Sequence, residues 1–274
     1  MTSKACGVAA LALAAGVASA QVIAFDTADD SAYDAGWADG SNGGFGYGGW
    51  SFQTEANGGF AGRFLAGAGG GASNSVNGSG RAWALFANNG PGLERSTAFR
   101  GINASSLGQA GTSLEITLEH GGIATGGLVG VSLRTGNVAA SAGDYSADAL
   151  TQFYFEGGDG NYTVADAGGE TDTGAGFTFD GVRVRFVFTG GGMFNLEVDR
   201  FFTETGDFDT ITTTGLTLAG AGPIESIAVF NDDGGDAGGL NDDAYFNNLT
   251  VTVPAPGAAG LVVLSGVLAA RRRR

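Results

Sequence analysis

Leu114-Glu115-Ile116-Thr117-Leu118-Glu119 and Val182-Arg183-Val184-Arg185-Phe186-Val187-Phe188 decide the fold class. In both, large apolar residues fall on every second position. That period puts them on one face of an extended strand and the charged residues on the other. Phe194-Asn195-Leu196-Glu197-Val198-Asp199 repeats the pattern. Further strands are predicted at 81–86, 128–133, 152–155, 224–230 and 244–251. Turn signals such as Asn88-Asn89-Gly90, Gly157-Gly158-Asp159-Gly160 and Thr189-Gly190-Gly191-Gly192 punctuate the series. No long amphipathic helical pattern occurs between 21 and 252. Short half-buried strands with Gly-rich turns predict an all-β protein: two packed antiparallel sheets, most simply a jelly roll, in a single domain over 21–252.

Composition agrees with that reading. Gly supplies 52 of 274 residues, against a usual share of roughly 7%. There is no Gly-X-Y period, and 19 Phe, 6 Tyr and 3 Trp provide a core, which excludes collagen and a fully disordered chain. All 28 acidic residues lie between Asp26 and Asp243, with eight Arg and no Lys among them, a balance of −20. Such a field repels phosphate backbones, so no nucleic-acid partner is expected; it suits salty water, cations or neutral glycans. The single Cys, Cys6, lies in the first twenty residues, so the domain is expected to hold no disulfide and no thiolate site.

Both ends read as addresses. Lys4, the apolar stretch 8–17 and Ala18-Ser19-Ala20 follow the order of a secretory signal peptide, with cleavage expected before Gln21. At the other end, Val253-Pro254-Ala255-Pro256 precedes an apolar run over 257–270 and then Arg271, Arg272, Arg273 and Arg274. The run is shorter than the ~20 residues of a comfortable helical span, although arginine side chains snorkel. The Arg cluster is expected to stay cytoplasmic, leaving the domain outside. A permanent C-terminal membrane anchor is the plainer alternative to a processed sorting tail.

The same three parts resemble the PEP-CTERM sorting signal of Gram-negative bacteria, with Val-Pro-Ala-Pro where that family usually has Val-Pro-Glu-Pro. The segments from Tyr33-Asp34-Ala35-Gly36-Trp37 to Gly49-Trp50 and from Asn241 to Leu249 are also similar to exported members of unassigned activity. The resemblance implies an exosortase-type processing enzyme as partner and transient inner-membrane association. It also implies delivery to the envelope, cell surface or exopolysaccharide matrix, and a lectin-like sandwich flanked by a signal helix and a hydrophobic helix.

Three constellations could carry chemistry. Asp232, Asp233 and Asp236, followed by Asp242 and Asp243, concentrate hard oxygens in Gly-rich sequence. Calcium takes about 6 to 8 oxygens in loose geometry, so these are the candidate calcium ligands, with a solvated hairpin as the plainer alternative. Trp37 and Trp50, among Tyr33, Phe45 and Tyr47, are the candidate platform for stacking on sugar rings, with Trp83 expected in the core. Glu197-Val198-Asp199 with Glu204 is reminiscent of a glucanase strand, but Glu204 is seven residues from Glu197 and falls on the other face. No catalytic residue is assigned. His120, the only imidazole, is expected at the surface at a strand end. The expected function is a non-enzymatic, structural or adhesive surface or biofilm-matrix protein; the alternative is an extracellular carbohydrate-binding module, with or without calcium.

Overall fold

A computed structural model describes residues 20–67, 76, 80–88, 92–104, 106–136, 145–202, 207–234 and 243–254. Fifteen strands are described: β1 (Gln21–Asp26), β2 (Tyr47–Ala56), β3 (Phe60–Ala66), β4 (Ala82–Asn88), β5 (Glu94–Ile102), β6 (Ser113–His120), β7 (Leu128–Arg134) and β8 (Ala149–Glu156). They continue with β9 (Asn161–Asp166), β10 (Gly169–Gly176), β11 (Val182–Gly190), β12 (Met193–Phe202), β13 (Asp207–Thr217), β14 (Ser226–Asp232) and β15 (Ala244–Val253). The first sheet runs β13-β12-β11-β6-β15-β4-β3, with β1 added on β15; the second runs β10-β9-β8-β7-β14-β5-β2. Neighbours along both paths are antiparallel. The chain crosses repeatedly from one sheet to the other, as between β4, β5, β6 and β7, and that interleaving makes the domain a jelly-roll sandwich rather than two stacked meanders.

The alternating stretches do what their period requires. Ile116, Leu118, Val184, Phe186, Leu196 and Val198 meet Val129, Val131, Phe153, Val164, Ile227 and Val229 of the opposite sheet in one buried cluster. Each such side chain contributes roughly 1.5–3 kcal/mol by leaving water. Strand β14 spans Ser226–Asp232, two residues later than the expected 224–230, and Glu225 just before it already bonds to Arg134 of β7 and Ile102 of β5.

Each sheet also has an outer face, and on each a residue of a long connection is packed. On the first sheet, Val76 from the β3–β4 connection packs on Ala66, Ala82, Ala84 and Tyr245. On the second, Tyr145 from the β7–β8 connection stacks on Phe230, with ring centroids 3.7 Å apart, in a cluster with Phe99, Tyr154 and Ala228. The half formed by β6, β11, β12 and β13 carries no such cover among the described residues.

A strap joins β1 to β2 and closes over the sandwich. Asp30 caps its short helical turn (Ser31–Tyr33), accepting from the Ala32 N–H. Gly44 and Gly46 have φ of +64° and +81°, and a Cβ on either would strike the backbone of β1, so the close approach requires glycine. Beneath the strap Arg100 and Asp26, both fully buried, form an ion pair. Arg100 also donates to the Gly48 carbonyl, Asn42 and the Gly43 carbonyl. The Tyr33 hydroxyl donates to Asp26 and accepts from the Trp50 indole and the Gly43 N–H. Burial raises the Asp26 pKa above the usual carboxylate range, opposed by the charge of Arg100 and its hydrogen bonds.

The expected signal and tail helices fall on residues outside those described, apart from the ends at Ala20 and Pro254. Among the described residues no helix is long and apolar enough to cross a membrane.

Candidate functional site

The open half of the first sheet is a grid of paired charges. Strand register sets Arg183 between Thr117 and Asp199, and Arg185 between Glu115 and Glu197. Arg185 donates to Glu115 at 2.9 Å and to Glu197 at 2.8 Å; Arg183 pairs with Asp199. On the edge strand Thr210 donates to the other oxygen of Asp199 at 2.5 Å. Burial opposes the charge of Arg185, but its hydrogen bond to Glu115 and the charges of Glu115, Glu197 and Asp199 outweigh it and hold the guanidinium above its ordinary range. At one end of the grid lies Phe208, 53% exposed, with Arg183 over its ring at 5.4 Å from the centroid.

This arrangement decides what the carboxylates can do. Glu197 and Asp199 share a face, as their spacing demands, but each is hydrogen-bonded to an arginine in the next strand. A catalytic pair would need one protonated carboxyl facing the other across a scissile bond. Glu204 lies outside the described residues. The grid instead offers donors, acceptors and one exposed ring, the elements of polar contact with a polymer. Phe208, Thr210 and the two arginines were not singled out from the sequence. The signal was available: the alternation of Arg183 and Arg185 on β11 repeats in the acids of β12.

The aromatic platform expected at Trp37 and Trp50 is corrected by burial. Trp37 is 5% and Trp50 1% exposed. With Trp83 they form a ring cluster under the strap, Trp37 to Trp50 at 5.2 Å and Trp50 to Trp83 at 5.1 Å. The glycines around Trp37 and Trp50 let the strap fold inward, so the rings plug the core and present no face to a sugar. Trp83 is in the core as expected.

The aspartates expected to hold calcium disperse where they are described. Asp232 accepts from the Arg95 guanidinium at 2.7 Å and from the Tyr145 hydroxyl at 2.9 Å. Asp233, next along the chain, accepts from the Glu94 N–H at 2.6 Å. Its pKa is raised by burial first, then by the nearby charges of Asp232 and Glu94. Asp243 accepts from the Tyr245 hydroxyl at 3.3 Å. Among the described residues no three His, Cys, Asp or Glu side chains form a metal-binding group. Asp236 and Asp242 lie outside the described residues, as do Ala255, Pro256 and Arg271 to Arg274 of the tail motif. Val253 ends β15, and Pro254 follows it.

His120 is not at the surface: it is 1% exposed. It ends β6, but β8, β9 and the segment before β11 enclose it with Phe155, Tyr162 and Phe177. The Gly121 carbonyl accepts from Nδ1 at 2.8 Å, so Nε2 accepts from the Tyr162 hydroxyl at 3.0 Å and the ring is the neutral Nδ1–H tautomer. Burial lowers its pKa to about 4, against a smaller opposing effect of the Gly121 bond.

Fold and surface together define a two-sheet all-β sandwich with one open, charge-paired sheet face. No family model matches the chain, and no curated protein matches it. Among solved structures it is similar to domain 4 of AbnA, a GH43 extracellular arabinanase from Geobacillus stearothermophilus in complex with arabinotriose. Identity there is 12%, coverage 86% of this chain and 94% of that one, and the TM-score 0.45. It is also similar to the carbohydrate esterase vb_24B_21 from Shiga toxin-encoding bacteriophage phi24B, at 14% identity, 86% and 100% coverage and a TM-score of 0.45. The exoplasmic/lumenal domain of VIP36, in its Ca2+/Man3GlcNAc-bound form, matches at 9% identity, 74% and 82% coverage and a TM-score of 0.40. At such scores these likenesses carry nothing about activity, and the fold assignment rests on the strand pairing itself.

Proposed function

We propose that this chain is an exported cell-surface or exopolysaccharide-matrix protein with a structural or adhesive role, sorted through its C-terminal tail. The sandwich meets polysaccharide through the open half of the first sheet. The observation that carries the reading is the charge pairing there: the buried Asp199 and the half-buried Glu115 and Glu197 are each paired with Arg183 or Arg185, while Phe208, Thr210, Thr212 and Thr214 of β13 remain accessible. Paired acids suit contact better than proton transfer, and an exposed ring flanked by polar groups suits the faces of neutral sugars. The signal segment and the Val253-Pro254-Ala255-Pro256 tail supply the export reading, with an exosortase-type enzyme as processing partner.

Affinity electrophoresis through soluble polysaccharides, including that of the native host, tests the binding part. The intact sandwich is retarded, Phe208→Ala abolishes retardation, and neither protein releases reducing ends. Turnover lost in Glu197→Gln would replace the adhesive reading with an enzymatic one. Calcium dependence belongs to the alternative module reading and rests on Asp236 and Asp242 joining Asp233. It predicts a rise in melting temperature with calcium, and not with magnesium, that Asp233→Ala removes.

A further inference from the structure

Strand β6 occupies one side of β15 from Ala244 to Thr252; the other side pairs with β4 over Ala244–Phe246 and with β1 beyond it. The outer face of the first sheet therefore continues past β15 onto β1. In β1, Ala24 and Asp26 are buried toward the core, Asp26 against Arg100, so Phe25 between them points to the outer face. Phe45 of the strap lies directly opposite it in an isolated antiparallel bridge, each N–H donating to the other's carbonyl, at 3.0 and 2.9 Å. Residues opposed in this way present their side chains on one face. Both rings are open, Phe25 37% and Phe45 53% exposed. Gly44 and Gly46 fix Phe45 against β1, since their positive φ and the nearness of the β1 backbone admit no side chain on either flank. Of the aromatic group expected from the sequence around Trp37 and Trp50, Phe45 is the exposed member.

Between this pair of rings and Phe208 lie five strand spacings, from β1 through β15, β6, β11 and β12 to β13, or roughly 24 Å. The surface between them is polar. The Ser113 and Thr252 hydroxyls stand 2.6 Å apart, Thr250 lies opposite Glu115, and the paired Arg185 and Glu197 follow. A protein-binding patch gathers its apolar residues at the centre and its polar ones at the rim. Here the order is reversed, with rings at two margins and hydroxyls and ion pairs in the middle.

We infer that Phe25 and Phe45 form a second aromatic anchor for a neutral polysaccharide, one chain of which lies across the strands from there to Phe208. The inference rests on the proposed contact at Phe208. An extended sugar chain offers apolar ring faces to the two margins and hydroxyls to the polar middle. The acids and arginines of that middle are hydrogen-bonded to one another, so they favour an uncharged chain over a polyanion or a polycation.

The test is affinity electrophoresis of the full chain in the neutral fraction of the host exopolysaccharide, with size-graded fragments of that polymer as competitors. Phe25→Ala with Phe45→Ala is expected to bind the polymer roughly tenfold more weakly. Phe25→Leu with Phe45→Leu, which keeps apolar bulk and loses the rings, is expected to do the same, and the melting temperatures of all three chains to agree. Competition against the unaltered chain should strengthen with fragment length up to the distance between the anchors; against either double variant it should level off at shorter fragments. Unchanged retardation of the alanine pair or of the leucine pair overturns the inference alone, because loss of binding in Phe208→Ala would still support the contact on which it rests. Unchanged retardation of Phe208→Ala overturns that contact and with it the path across the sheet. No retardation of the unaltered chain overturns both.

Discussion

His120 shows how one buried side chain ties stability to pH. Its folded pKa is lowered to about 4 by burial, whereas an unfolded histidine titrates near its ordinary 6.5. Between those values the unfolded chain binds a proton that the folded chain refuses. Stability is full above pH 6.5 and falls as pH drops toward 4, by on the order of 3 kcal/mol from this group. Chemical denaturation from pH 7.5 to 4 should show that loss, and His120→Gln should flatten the curve; an equal slope in the variant would contradict the tautomer and burial described for the ring. Arg100 is the second decisive residue. Removing it leaves Asp26 charged in a dry site, so Arg100→Ala should cost about 3–5 kcal/mol, measured as a shift in urea midpoint. Asp26→Asn should cost a comparable amount, because it leaves the buried Arg100 guanidinium without its counter-charge.

At the scale of elements, the strictly alternating strands were legible, whereas the edge strands and the interior strands β5 and β9 were not. The alternation in β6, β11 and β12 reads directly as a buried row. Strand β10 is Gly-Glu-Thr-Asp-Thr-Gly-Ala-Gly and β13 is rich in threonine, and both lie at sheet edges, where one neighbour suffices and little apolar surface is buried. Their sequences carry turn and loop composition, and only the pairing with β9 and β12 makes them strands. The candidate site was half legible for a related reason. Glu197 and Asp199 were placed on one face by their period, but their arginine partners sit on a different strand, and register across strands is a property of the fold. The tryptophans misled because Gly-rich flanks fit an exposed loop as well as a strap folded inward. Trp83→Ala and Trp50→Ala should each cost roughly 3–5 kcal/mol in thermal or urea unfolding, and polysaccharide should leave tryptophan fluorescence unchanged. A saccharide-dependent emission shift lost in Trp37→Ala would restore the aromatic platform.

For the whole molecule, the sandwich closes a core between two sheets, and among the described residues Val76 and Tyr145 pack on the outer faces while β6, β11, β12 and β13 present a surface of paired charges. The strap adds a buried ion pair beneath it. Processing belongs to this scale. Protein recovered from the host surface should begin at Gln21 and lack Arg271 to Arg274, by intact mass. A full-length mass in the envelope would favour the permanent anchor. The central claim is that the sandwich binds polysaccharide through the open face of its first sheet without cleaving it. Affinity electrophoresis of the intact sandwich and Phe208→Ala in host exopolysaccharide tests it most directly. The account predicts retardation of the first, free migration of the second and equal melting temperatures; equal retardation of both, or polymer shortened by the intact protein, would contradict it.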